Sequence, residues 1–491
     1  MDSQTSTALF GLSPLDHTMP MIYMSYVLAF RTADPDGGIE TLREGMTRLL
    51  STLPFLGGEV VGTPELNGHR NSYQVHLSSS VPHVDDILKV KSHLFPVSKL
   101  PTPTRSGASS EASGNETGLS VVDFVPISPL SPWTDRRSVV QFQANQMTDG
   151  VALGMSFHHA VFDGTGAEFV LKALAECCRA FKAGSDATPL ASKFAENEVR
   201  LRALITEMPV VAEEQDHTSK YGTTATIPNM PASEEEARVA SLDTSLVTSR
   251  FSFPASKIEE LRAFCNVYVQ HSLGLDLVLS ANDVLNALLA ICIKREPHAH
   301  RAESRGPSGA QVQLAANVRK RFRQSEFQNY LGNAAVMIRA PIHGAVTTSP
   351  TGAAVYGQDI AQLATVAAEI RKGVLAVDEK HVLSLLSFIH KQEDWGALNV
   401  KLADPCITSW RHLSVYSMDF GEPLGRIDGF EMHMMPFGNV CIIMPRDIRT
   451  THMNGFSGRT DAPWEVNVTM THAGMKRFMS DPLIIWATKY F

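Results

Sequence analysis

An apolar run from Val151 to Phe157 leads into His158-His159-Ala160-Val161-Phe162-Asp163-Gly164, and a helix-forming stretch follows at once. Such a succession is a buried strand, a stiff turn and a helix start, and it commits this part of the chain to a layered arrangement of strands and helices. Thr165-Gly166-Ala167-Glu168 has capping-box form, which predicts a helix beginning at Gly166 with Asp163 in the turn before it. His159 is the candidate catalytic base, because a neutral imidazole with a pKa of roughly 6.5 accepts a proton near neutral pH. His158 reads as its packed or hydrogen-bonded neighbour. Asp163 lies four residues beyond His159 and resembles a catalytic partner, but a place in the turn lets it hold the backbone without touching the imidazole.

Length and composition bound the rest. At 491 residues and 44% hydrophobic content, the chain exceeds one ordinary core and predicts two domains. The net charge of -8 provides no basic field of the kind that draws a protein to nucleic acid or to anionic lipid. Six cysteines, with Cys177 and Cys178 adjacent, suit neither a disulfide framework nor a spaced zinc site, and read as reduced, buried residues. Met1-Asp2-Ser3-Gln4 has no basic segment leading into an apolar core, and no uncharged run reaches the roughly 20 residues of a membrane span. The expectation is a cytoplasmic protein with no membrane partner.

Along the chain, Leu12-Ser13-Pro14-Leu15-Asp16 is a turn-rich opening, and Met21 to Phe30 reads as a buried strand. Ile39, Leu42, Met46, Leu49 and Leu50 recur at helical spacing, and Glu59-Val60-Val61 begins another strand. Residues 102–118 are rich in Ser, Thr, Gly and Pro and predict a mobile surface insertion. The polar stretch around residues 207–240 is the expected linker between an amino-terminal domain, 1–206, and a carboxyl-terminal domain, 241–491. Ser256-Lys257-Ile258-Glu259 and Ser280-Ala281-Asn282-Asp283 both predict helix starts. Helices and strands interleave throughout, which makes the class α/β.

Four strings in order carry a family resemblance: the HHxxxDG run at 158–164, Asn317-Val318-Arg319 followed by Tyr330-Leu331-Gly332-Asn333, Thr408-Ser409-Trp410, and Asp419-Phe420-Gly421. Together with the Leu12–Asp16 opening they resemble the BAHD acyltransferases, which carry acyl groups from coenzyme A to alcohols or amines, and within them the fungal trichothecene 3-O-acetyltransferase-like group. After Gly421 this chain has Glu422-Pro423 where the family pattern has Trp-Gly, a mark of a divergent branch. The resemblance implies two chloramphenicol-acetyltransferase-like domains, each a mixed β-sheet flanked by helices, with an active-site tunnel at their interface. It further implies a monomer that uses acetyl-CoA or another acyl-CoA as co-substrate, a small hydroxylated metabolite as acceptor, and no metal or bound cofactor.

By the same resemblance Thr408 sits near the tetrahedral oxyanion and Trp410 lines the acceptor pocket, although Trp410 also reads as a simple core residue. Asp163 would pair with Arg319, and Asp163, Gly164, Asp419 and Gly421 would be structural. Arg321 and Arg323 have two readings: contacts to coenzyme A phosphates, which suit a guanidinium fork, or a solvated loop face. Met432, Met434, Met435 and Phe437 are candidate pocket residues that suit a core equally well. Three rival functions remain: condensation of carrier-protein thioesters, a ping-pong reaction through an acyl-cysteine, and an inactive binding relative.

Overall fold

The computed structural model describes residues 7–77, 82–105, 120–129, 136–208, 215–222, 246–295, 309–342, 357–432, 437–449 and 462–489. Two mixed sheets dominate it. The first has five strands in the order Gly429–Met432, Tyr23–Arg31, Gly150–His158, Val140–Met147 and Leu88–Ser92. Its pairings are antiparallel except the last, which is parallel. Gly150–His158 is central and buried along its whole length, which is why it reads as a continuous apolar run rather than an alternating one. Gly154 within it admits no side chain, since a Cβ would lie 1.7 Å from the Phe124 carbonyl oxygen. Helices Pro35–Thr52 and Gly164–Lys182 pack together on this sheet.

The second sheet has seven strands, ordered Ala335–Pro341, Gln311–Asn317, Cys406–Ser409, Val440–Ile443, Trp464–Thr471, Leu246–Phe253 and Thr104–Arg105. Its strands are both parallel and antiparallel. Helices Ala255–His271, Ala281–Lys294 and Gly357–Ala376 share its apolar core. Each sheet borrows a strand from the other half of the chain. Gly429–Met432 extends the first sheet and Thr104–Arg105 extends the second. Arg250 of the second sheet clasps Glu431 of the borrowed strand with two hydrogen bonds of 2.9 and 2.7 Å.

Local expectations are refined in several places. The Ser- and Pro-rich stretch 102–118 is not wholly a surface loop, because Thr104–Arg105 pairs with Ser249–Arg250, while 106–118 lies outside the described residues. Within the expected linker, residues 215–222 pack down rather than tether: His217 and Tyr221 are buried, the Tyr221 hydroxyl accepts the Met337 amide at 2.9 Å, and Tyr221–Gly222 pairs with Asn399–Val400. Residues 209–214 and 223–245 are outside the description, as are Met434 and Met435. The helix foreseen at Ser256 starts at Ala255 after Pro254, without a side-chain cap. Ser280 and Asp283 do form the capping box foreseen for the next helix.

Candidate active site

The strand Gly150–His158 ends with two imidazoles in different surroundings. His158 is fully buried, edge-on to the Tyr23 ring at 5.2 Å, and its Nδ1 accepts the Ala160 amide at 3.3 Å. Burial, then the Arg137 charge, pushes its pKa well below the usual histidine value. His159 is anchored through its backbone N–H to the Ile22 carbonyl at 2.9 Å, and its partly exposed ring lines a cavity. The same bond ties the turn to the segment that follows the Leu12–Asp16 opening. Burial lowers the His159 pKa as well, opposed by its own backbone carbonyl and by the Asp163 carboxylate. Both rings are therefore neutral at pH 7, and of the two it is His159 that faces open space.

The helix after the turn begins at Gly164, two residues before the expected start, and its cap is Asp163 rather than Thr165. Asp163 Oδ1 accepts the Gly166 amide at 2.9 Å. A carboxylate at that position satisfies an orphan amide of the first turn, and the box between Thr165 and Glu168 does not form. Glu168 instead accepts the amide and hydroxyl of Ser414 at 2.6 and 2.9 Å and pairs with Lys172 at 3.0 Å.

Asp163 and Arg319 meet as a buried bidentate pair, with Nη1 to Oδ2 at 2.8 Å and Nη2 to Oδ1 at 2.9 Å. Asp163 also accepts the Ala334 amide at 2.9 Å, and Arg319 donates to the Tyr330 and Gly332 carbonyls at 2.8 and 2.6 Å. Burial alone would raise the Asp163 pKa, but the Arg319 guanidinium holds it below the usual carboxylate value. Two glycines allow the close approach of other segments. A Cβ on Gly164 would lie 2.9 Å from the Trp410 ring, and one on Gly166 would lie 1.8 Å from the Leu331 carbonyl oxygen.

Two cavities adjoin the turn. The smaller, about 190 Å³, is lined by His159, Thr408 and Trp410 and is otherwise largely apolar, with Met24, Met432 and Phe437 among its walls. Trp410 lines this cavity and also packs in the core, edge-on to Tyr26 at 5.7 Å. The larger cavity, about 1220 Å³, carries Lys320, Arg321, Arg411 and Arg446. Thr165, Ala315, Asn317, Ser409 and His412 line both. Asn317 Nδ2 donates to Thr165 Oγ1 at 3.0 Å, and that hydroxyl lies 3.4 Å from His412 Nε2, so a polar chain crosses the shared wall.

Arg323 does not join Arg321. It is 87% exposed, lines neither cavity, and is held by Glu379 at 2.7 Å. Asp419 and Gly421 also line neither cavity. Asp419 Oδ1 accepts the Gly421 amide at 2.9 Å in a turn where Gly421 takes a φ of +74°, a left-handed conformation that glycine adopts without strain. Cys177 and Cys178 are buried on the helix after the turn, where burial pushes the Cys177 thiol up to about 12. Cys406 does line the smaller cavity, with its thiol pushed up to about 11 by burial.

Sequence reasoning did not single out Arg446, whose Nε and Nη2 are buried with no hydrogen-bond partner among the described residues. No motif marks it, and only its place in the cavity reveals it. Arg411 and His412, by contrast, follow Trp410 directly and could have been read with that string.

A family model described as the Transferase family matches residues 116–482, and one described as the trichothecene 3-O-acetyltransferase-like N-terminal domain matches residues 22–178. Fumigaclavine B O-acetyltransferase ifgI of Penicillium roqueforti is 31% identical over 497 residues, covering 97% of this chain and 96% of its own. Communesin N16 acyltransferase cnsK of Penicillium expansum is 31% identical over 491 residues, covering 99% of both chains. Among solved structures, F. graminearum TRI101 complexed with coenzyme A and deoxynivalenol shares the fold, with a TM-score of 0.67 at 18% identity over 97% of this chain and 98% of that one. The chain thus belongs to the transferase family, as an acyltransferase with a trichothecene 3-O-acetyltransferase-like amino-terminal domain.

Proposed function

We propose that this protein is an O-acyltransferase that moves an acyl group, acetyl in the first place, from coenzyme A to a hydroxyl of a small secondary metabolite such as a terpenoid, alkaloid or polyketide. One observation carries the reading: a neutral imidazole lines an apolar cavity that shares a polar wall with a larger, cationic one. The larger cavity suits coenzyme A, whose phosphates would meet Arg321, Lys320 and Arg446, whose Nε and Nη2 have no hydrogen-bond partner among the described residues. The smaller suits the acceptor, against Trp410 and the methionines, and the shared wall would be the midpoint of a tunnel between the two halves of the chain.

In this reading His159 takes the hydroxyl proton as the acceptor oxygen bonds to the thioester carbonyl carbon. The tetrahedral oxyanion is met by the Thr408 hydroxyl, which lines the same cavity and can donate. Collapse breaks the carbon–sulfur bond, and the imidazolium returns its proton to the departing thiolate. The chemistry needs no acyl-cysteine, and the buried thiols, all raised in pKa, are poor nucleophiles at pH 7. Asp163, Arg319, Gly164, Asp419 and Gly421 hold the machinery in place. One chain carries the whole site, so a monomer suffices. The division at residues 207–240 is the covalent joint between halves that also exchange strands.

Among the described residues no helix is long and apolar enough to cross a membrane. A cytoplasmic enzyme, with acyl-CoA at hand, is the location we favour. The test is direct: purified protein is offered acetyl-CoA and a panel of hydroxylated terpenoids, alkaloids and polyketides, and products are read by mass spectrometry. Ester formation with release of free coenzyme A is expected for the native protein and not for His159→Ala. Turnover by both alike, or an acylated cysteine after acetyl-CoA alone, would overturn the reading.

A further inference from the structure

Asn333 is fully buried, and its side-chain amide is committed on the nitrogen side. Nδ2 donates to Asp16 Oδ1 and to the His159 carbonyl oxygen, each at 2.9 Å, and the Asn333 backbone amide reaches the same Asp16 oxygen at 2.9 Å. A carbonyl oxygen only accepts, and so does an ionised carboxylate, which means the amide cannot be turned over without losing both bonds. Asp16 is itself immobile: its other oxygen accepts the Ser13 amide at 2.8 Å and is paired with the buried Arg202 guanidinium. The direction of Asn333 Oδ1 is therefore forced.

Among the described residues that oxygen is buried with no hydrogen-bond partner, and so is Nδ1 of His159, on a residue whose backbone carbonyl Asn333 already binds. A buried acceptor and a buried ring nitrogen that can donate, on two residues joined through the His159 backbone carbonyl and neither bonded among the described residues, are costly apart and complementary together. We propose that Asn333 is a positioning residue for His159: its Oδ1 accepts a proton donated by Nδ1, which fixes the imidazole tautomer and leaves the Nε2 lone pair to the acceptor alcohol. Burial lowers the His159 pKa, and the Asn333 side chain is among the groups that oppose it, after the residue's own backbone carbonyl, Asp163 and Phe162. The residue's own carbonyl oxygen, which receives Asn333 Nδ2 and keeps a second lone pair, is the rival acceptor that the Asn333→Ala variant tests. The Leu12–Asp16 opening and the Tyr330–Asn333 string thereby gain a common purpose, since Asp16 aims the amide that aims the base.

The inference rests on His159 being the base, and its test separates the two. Protein labelled with ¹⁵N-histidine, with the His159 signal identified by its loss in His159→Gln, should show one tautomer protonated at Nδ1. In Asn333→Ala that signal should become a mixture of tautomers. The kcat of this variant should fall roughly tenfold or more, with the KM for acetyl-CoA within about threefold of native. The rising limb of its kcat/KM profile should move to lower pH, because a lost acceptor favours the neutral ring. A role confined to packing would lower the amount of active enzyme without moving the limb or the tautomer. A native ring protonated at Nε2 would overturn the proposal even if Asn333→Ala failed to fold, and so would an Asn333→Ala enzyme with native kcat. Should His159→Ala remain active, it is the assignment of the base that falls.

Discussion

Asp163 accepts hydrogen bonds from both Arg319 nitrogens and from the Gly166 and Ala334 amides, which occupies the roughly four lone-pair directions of a carboxylate. Such a group has no lone pair left to bond an imidazole, so it is tied into the turn and reaches His159 only through its charge. Asp163→Asn and Arg319→Gln should each cost on the order of 3–5 kcal/mol, because each leaves the other partner buried and uncompensated. Their double mutant should cost much less than the sum, as read by denaturant melts. Strict additivity would show that the two act separately. His159→Ala should lower kcat by roughly 10²–10⁴ while calorimetry still detects coenzyme A, since proton transfer is lost and the binding surface kept. Arg446→Gln should do the reverse, raising the KM for acetyl-CoA roughly tenfold with kcat little changed. Unchanged KM would remove Arg446 from the coenzyme site.

At the scale of elements, the helix Gly164–Lys182 is the part that brings the site together. Its cap is the carboxylate that pairs with Arg319, and its first turn lies so close to its neighbours that Gly166 almost touches Leu331 and Gly164 the Trp410 ring. Gly166→Ala must displace backbone rather than a flexible side chain, and overpacking of that kind costs about 1–3 kcal/mol or more. Thermal melts should register the loss, and activity should fall with it, because the displaced loop carries the Tyr330–Asn333 string. An Ala variant with native melting temperature and turnover would mean that the loop yields freely.

Over the whole molecule, burial of neutral histidines ties stability to pH. His17 has its pKa lowered to about 4 and His158 well below 6.5, burial being the main cause in both. The unfolded chain therefore binds protons below about pH 6.5 that the folded chain refuses, so stability is fully present above that pH and is lost as pH falls toward 4. Each such group contributes a slope on the order of 1.4 kcal/mol per pH unit across that window. The melting temperature should decline steadily from pH 6.5 to pH 4, and His17→Gln should flatten the decline if it folds. A melting temperature constant across that range would contradict the burial of these rings.

Local pattern was enough for much of this. The strand before His158, the turn and the helix after it were legible because burial imposes apolar runs on a central strand and helical spacing on its covering helices. The ordered strings at 158–164, 317–333, 408–410 and 419–421 were legible because each is a short piece of backbone with its own geometry. What remained hidden was everything set by approach through space. Glu168 looked like a cap but was taken by Ser414, which lies 246 residues away in the chain. Arg321 and Arg323 looked alike until one lined a cavity and the other met Glu379. The strand exchange and the two Arg446 nitrogens that have no hydrogen-bond partner among the described residues leave no local trace, because pairing between distant segments depends on which surfaces the finished fold brings together.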